Sequence, residues 1–204
     1  MLDASYSESH RAYHTWPHVA SLLEKLSVFS GLCTREDLIA TAIFWHDAVY
    51  RTQSHDGRPR TDYENVRESG QLFRGYSLLN KADSDAVYDM IIATANHLQP
   101  TLKYQYYAGF AGDVDLFLDL DLSSLASPWD DFVDNLAKIR SEFSWLPETD
   151  FYASQIDFLK QFAREDVPLY RCKETSAKWR AAAKANLRHC MWCLEKRVAE
   201  LKAS

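Results

Sequence analysis

A chain of 204 residues with 47% apolar and 13% aromatic content suits a packed globule of one domain and argues against disorder. Its net charge of −6 argues against a nucleic-acid polymer as main partner, and four cysteines are too few for a disulfide framework. No stretch approaches the ~20 apolar residues of a bilayer span, and the N-terminus, with Asp3 and Glu8, lacks a basic region followed by an apolar run, so the expectation is a soluble, cytoplasmic protein with no membrane partner.

In chain order, apolar periodicity predicts helix after helix. Leu22, Leu23, Leu26 and Phe29 define a first long helix that begins near Pro17 and carries His18 at its start. Thr34 and Asp37 read as a cap for the next helix, whose apolar positions Leu38, Ile39, Ala42, Ile43, Trp45 and Val49 run up to His46 and Asp47. Gly57 and Pro59, among polar neighbours, make Arg51 to Thr61 an exposed loop able to cover a site, and a third helix follows over Asp62 to Gly70 and beyond. A fourth starts at Asp83 or Ser84, with Val87, Met90, Ile91 and Thr94 on one face. Extending that face turns His97 inward, and Pro100 ends the element.

Asp and Leu alternate from Val114 to Leu122 with strand-like period, but no second strand is there to pair with it, so the segment is expected to be a short, irregular helical piece. Ser127, Pro128 and Asp130 predict a helix start, with the helix continuing to about Ser144, and Phe151, Ile156, Phe158, Leu159 and Phe162 predict the apolar side of a helix over Glu148 to Phe162. The last helix, about Ser176 to Leu201, has Leu187, Met191, Leu194, Val198 and Leu201 at near-heptad spacing, suited to core or to a homodimer seam. Cys190 and Cys193 within it form a CxxC with no second pair, and read as small core or interface residues rather than as a redox or zinc pair. The expected fold is all-α: one compact multi-helix domain over 1–204, with the segment 176–202 packing on it or forming a subunit contact.

The chemistry concentrates at His46 and Asp47. Adjacent side chains on a helix point about 100° apart, so both can reach one pocket. A carboxylate buried there needs a partner, for which a divalent ion shared with imidazole is one solution; the other reading is an exposed helix end, with Asp47 in water and His46 capping the last turn. His18 shares a face with Leu22, and with His46, Asp47 and Asp121 it makes four inward candidates from three elements, of types that suit a first-row metal or Mg²⁺. His14 lies one turn earlier, although Pro17 interrupts a continuous helix across both. Each residue taken alone reads as a hydrogen-bonded core histidine or a capping aspartate.

The ordered set His18, His46–Asp47, Asp121 resembles the H…HD…D signature of the HD superfamily of metal-dependent phosphohydrolases. More narrowly, YHTWPH from Tyr13 to His18, FWHDAVY from Phe44 to Tyr50, ATANH from Ala93 to His97, LDLDL from Leu118 to Leu122 and IRSEF from Ile139 to Phe143 resemble a family of small proteins predicted to be HD-type hydrolases. The resemblance implies an HD-like helical bundle in which His18, His46, Asp47 and Asp121 ligate a divalent ion (Mn, Fe, Co, Ni, Zn or Mg), with Asp121 preferred to Asp119. It implies that His97 faces the open side of the ion, where it binds a phosphate oxygen, holds a second ion or moves a proton, and that Asn65 and Ser69 match a family stretch in which Val66 here replaces an acid and Gly70 an alanine.

The implied activity is hydrolysis of a small phosphate ester, nucleotides included, by water activated on the metal, with Asp47 and His97 as the catalytic pair. Arg51, Arg58 or Lys103 would meet charge on the leaving oxygen, and Arg11, near His14, is either a phosphate contact or a solvated N-terminal charge. Trp16, Trp45, Tyr50 and Tyr104 suit base stacking or, more simply, core packing. Two alternatives stay open: a metal-containing regulatory module without turnover, motivated by Val66, and a structural helical protein whose histidines are satisfied core residues.

Overall fold

Caps and chain breakers divide the protein into α-helices. The computed structural model describes residues 1–100, 102 and 104–203, and among these there is no strand, only an isolated bridge between Gln53 and Pro59 across the turn at Gly57. The fold is all-α. Two compact units make up the chain, one from Met1 to Asp121 and one from Leu122 onward.

The first unit holds α1 (Leu2–Tyr6), α2 (Trp16–Phe29), α3 (Glu36–Trp45), α4 (Asp62–Tyr76), α5 (Lys81–Ala93) and α6 (Phe110–Asp121). Pro17 sits in the first turn of α2, where its missing N–H costs no helical bond. α3 packs against α2, α4, α5 and α6, and its Leu38, Ile39, Ala42 and Ile43 are fully buried with Val19 and Leu22 of α2, Met90 and Ile91 of α5 and Phe117 of α6. The N-terminus of α4 carries a reciprocal capping box: Thr61 Oγ1 accepts from the Glu64 amide, and the Glu64 carboxylate accepts from the Thr61 amide. α5 starts earlier than expected, because Asn80 rather than Asp83 or Ser84 caps it.

Three local expectations are corrected. Thr34 does not cap α3; Asp113, on α6, reaches across and accepts from the amides of Thr34 (2.7 Å) and Arg35 (2.9 Å), while the Tyr107 hydroxyl donates to the same carboxylate (2.8 Å). Close approach at that corner needs Gly109, which has φ +92° and lies against the Thr34 hydroxyl, leaving no room for a Cβ. The helix carrying the His–Asp pair stops at Trp45, so His46 is its C-cap and Asp47 lies in the following turn. Finally, 110–121 is a regular helix. Burial of Asp113, Val114, Leu116, Phe117, Leu118, Asp119 and Leu120 surrounds most of its circumference, so its apolar residues face protein on nearly every side and a period of 2 carries no information there.

The second unit opens with a 3₁₀ segment, Leu122–Ala126, followed by α7 (Trp129–Glu142), α8 (Glu148–Ala163) and α9 (Lys173–Ala203). Pro128, not Ser127, occupies the N-cap of α7, with no side-chain cap bond. α8 and α9 pack along one another through Phe151, Ile156, Leu159 and Phe162 on one side and Trp179, Ala183, Leu187, Cys190 and Leu194 on the other; Phe158 is exposed. Buried Lys184 caps the end of α8 by donating to the carbonyls of Phe162 and Arg164. No described helix is long and apolar enough to cross a membrane.

Candidate metal centre

α2, the end of α3 and the end of α6 bring four side chains to one point. His18 Nε2 and His46 Nε2 face each other at 3.3 Å. Asp47 Oδ2 lies 3.0 Å from His46 Nε2 and 3.7 Å from His18 Nε2, and Asp121 Oδ1 lies 3.6 Å and 3.3 Å from the same two atoms. Both imidazoles are buried, and the two carboxylates are nearly so.

His46 Nδ1 is 2.9 Å from the Ile43 carbonyl, which can only accept, so Nδ1 carries a proton and the neutral ring presents the Nε2 lone pair inward. Two imidazole nitrogens facing each other between two carboxylates demand positive charge at their centre. In the protein alone a proton supplies it. Burial pulls the His46 pKa down, but the carboxylates of Asp47 and Asp121 outweigh burial and hold it well above the ordinary histidine value. Burial likewise pushes Asp47 and Asp121 up, and the histidines overcome it: His46 and His14 hold Asp47 below the usual carboxylate range, and His46 and His18 hold Asp121 well below it. A divalent cation answers the same demand with two imidazole nitrogens and two carboxylate oxygens as ligands, so the donor set fits a metal; His18, His46 and Asp47 by themselves have ligand atoms within 4.8 Å of one another.

No family model, curated protein or solved structure matches the chain.

Around this centre the remaining candidates separate. Asp121, rather than Asp119, meets the histidines: two positions apart on α6, the side chains point about 200° apart, and Asp119 is buried elsewhere on the helix. His97, reached from α5 through a 3₁₀ turn at Thr94–Asn96, has Nε2 2.8 Å from Asp121 Oδ2, so Asp121 is shared between the imidazole pair and a third, partly exposed histidine. His14 stacks on Tyr50 with ring centroids 3.6 Å apart, close enough to Asp47 to lower its pKa.

Asn65 and Ser69 do not join the centre. Asn65 accepts from the Arg51 amide (3.2 Å) and donates to the Arg51 carbonyl (2.9 Å), while the Ser69 hydroxyl accepts from the Val49 amide (2.9 Å) and donates to the Val49 carbonyl (3.1 Å). Both brace the backbone just after the His–Asp pair, and Val66 between them is buried. Arg11 is not a solvated charge: its side chain is wholly shielded and its nitrogens are engaged by Glu8 and by main-chain carbonyls, so none points to a ligand. Arg51 and Arg58 are exposed, Arg58 pairing with Glu64, and Lys103 lies outside the described residues. Trp45 packs on Phe73 and Tyr76, Trp16 packs on Tyr6 and donates to Asp3, Tyr50 is buried under His14, and Tyr104 is exposed.

Two contributors escaped the sequence reading. Tyr6, buried on α1, donates to the Phe44 carbonyl just before the pair. Asp62, the first residue of α4, lies at the exposed rim within electrostatic reach of His14, His97 and Asp47, and surrounding protein raises its carboxyl pKa. The available signal was spacing: Asp62 stands one helical turn before Val66, the position where the resembled family carries an acid.

Proposed function

We propose that the protein is a metal-dependent phosphohydrolase of HD type acting on a small phosphate ester, with nucleotides among the candidate substrates. The observation that carries this reading is the convergence of His18, His46, Asp47 and Asp121, far apart in sequence, on one point at 3.0 to 3.7 Å. A divalent ion held there supplies Lewis-acid polarisation of a phosphoryl oxygen and acidifies water at neutral pH.

The side chains divide the remaining work. Asp47, held ionised by the neighbouring histidines, would serve as a ligand and as the group that orients the attacking water or takes its proton. Asp121 turns one oxygen to the imidazole pair and the other to His97, and so fixes the His97 ring at the solvent side, from which it returns a proton to the departing oxygen. Asp62 at the rim, whose carboxyl the surrounding protein biases toward its protonated form, lies within reach of His14 and His97. Burial of His18 and His46 keeps bulk water off the ligands and strengthens every charge interaction among them.

Elemental analysis of the purified protein beside His46→Ala and Asp47→Ala, followed by a phosphoester and nucleotide screen with added Mn²⁺, Co²⁺, Ni²⁺, Zn²⁺ or Mg²⁺, tests this. The expected outcome is stoichiometric metal in the wild type, its loss in both variants, and metal-dependent release of phosphate or pyrophosphate. Equal metal content in all three proteins refutes the reading. A metal-loaded wild type that is inert across the screen favours a regulatory module instead, the reading that buried Val66 supports by standing where an acid is expected.

A further inference from the structure

The backbone bearing two of the proposed ligands, His46 and Asp47, runs past the end of its helix. α3 ends at Trp45, and the carbonyls of Asp47 and Ala48 fall beyond its hydrogen-bond ladder, where a helix leaves acceptors unpaired. Arg11 takes up both: its guanidinium donates to the Asp47 carbonyl at 2.6 Å and the Ala48 carbonyl at 3.1 Å, and also to the His14 carbonyl at 3.3 Å. Glu8 anchors the other edge of the fork at 2.9 Å, and none of the Arg11 side chain meets solvent. Neighbours in the same segment grip the same corner, Tyr6 through the Phe44 carbonyl (3.0 Å) and His10 through the Tyr50 carbonyl (2.8 Å).

We infer that Arg11 is a positioning residue for the metal centre: its planar fork fixes the peptide planes at Asp47 and Ala48 and thereby the direction in which the Asp47 carboxylate addresses His46 and His18. The inference rests on the metal-site reading above and adds a residue that touches neither ion nor substrate. A positive group at the end of α3 is favourable for the helix in any case, but only a rigid, multiply donating group holds two successive carbonyls in one orientation. Lysine keeps the charge and loses the fork, which makes it the informative replacement.

The test measures Co²⁺ affinity and the visible Co²⁺ absorption spectrum in the wild type, Arg11→Lys and Glu8→Gln, with Arg140→Lys as matched control. Arg140 donates to two carbonyls beyond the end of α7, those of Phe143 (2.6 Å) and Leu146 (3.1 Å), so its replacement removes the same chemistry from a helix end without metal ligands. Arg11→Lys is expected to weaken Co²⁺ binding roughly 10- to 100-fold and to shift the absorption bands. Glu8→Gln is expected to lose affinity in the same direction by less, while Arg140→Lys lowers the melting temperature yet binds Co²⁺ as the wild type does. Wild-type affinity and spectrum in Arg11→Lys, or an equal loss in Arg140→Lys, overturns the positioning role. Should Arg11→Lys fail to fold, unchanged Co²⁺ binding in Glu8→Gln overturns it. A wild type that binds no Co²⁺ defeats the underlying metal reading, a failure visible before any variant is made.

Discussion

Asp47 and Asp121 are tolerable in a buried position only while something positive stands between them, and His46 supplies it as a cation in the absence of metal. The pH dependence follows by sign. The depressed carboxylates contribute stability that is complete above their ordinary value, about 4, and is lost as pH falls through their lowered folded values; raised His46 contributes stability that is complete below its ordinary value, about 6.5, and is lost as pH rises through its raised folded value. Metal-free protein should therefore lose melting temperature as pH rises into the alkaline range, and Mn²⁺ should restore it by an amount that grows with pH, since metal replaces the departing proton. Calorimetry of wild type and His46→Ala decides; a flat profile in the wild type, or an equal Mn²⁺ effect in the variant, contradicts the charge assignment. At this scale the four side chains that converge were legible because His18, His46, Asp47 and Asp121 are chemically distinctive and occur in a recognisable order. The bracing roles of Arg11, Asn65 and Ser69 were not legible, because the groups they brace are main-chain ones, which leave no trace in a residue pattern.

Among the elements, helix ends rather than helix bodies set the geometry. The near end of α3 is capped from α6 through Asp113, and its far end, at the proposed metal ligands, is completed by Arg11, so both ends of the central helix depend on residues distant in sequence. Replacing Asp113 by Ala strands two backbone amides and the Tyr107 hydroxyl, and is expected to cost about 2 kcal/mol in urea unfolding, with Asp113→Asn recovering part of it. A change below about 0.5 kcal/mol, the range of an ordinary surface substitution, would contradict the capping role. This explains why Thr34 and Asp37 misled: a local cap pattern was present, but a buried carboxylate from another helix took the amides. Helix interiors were legible from periodicity in α2, α3, α5, α8 and α9. α6 was not, because burial on nearly every side erases the amphipathic signal.

For the whole molecule, successive helical periodicities foretold the all-α class, but the division into two compact units falls at Asp121 and Leu122, where a helix passes into a 3₁₀ turn with neither glycine nor proline to mark it. All four proposed ligands belong to the first unit, whereas the CxxC lies on α9 in the second, with Cys190 buried, its thiol pushed up to about 12 by burial, and Cys193 half-buried. One location for a metal and one ligand chemistry are thus proposed, which X-ray absorption on the Zn²⁺-loaded protein reads directly. The spectrum should show only nitrogen and oxygen neighbours at about 2.0–2.2 Å, with imidazole scattering that is lost together with the bound metal in His46→Ala. A sulfur shell at about 2.3 Å would put the metal on the cysteines instead and contradict the proposed centre.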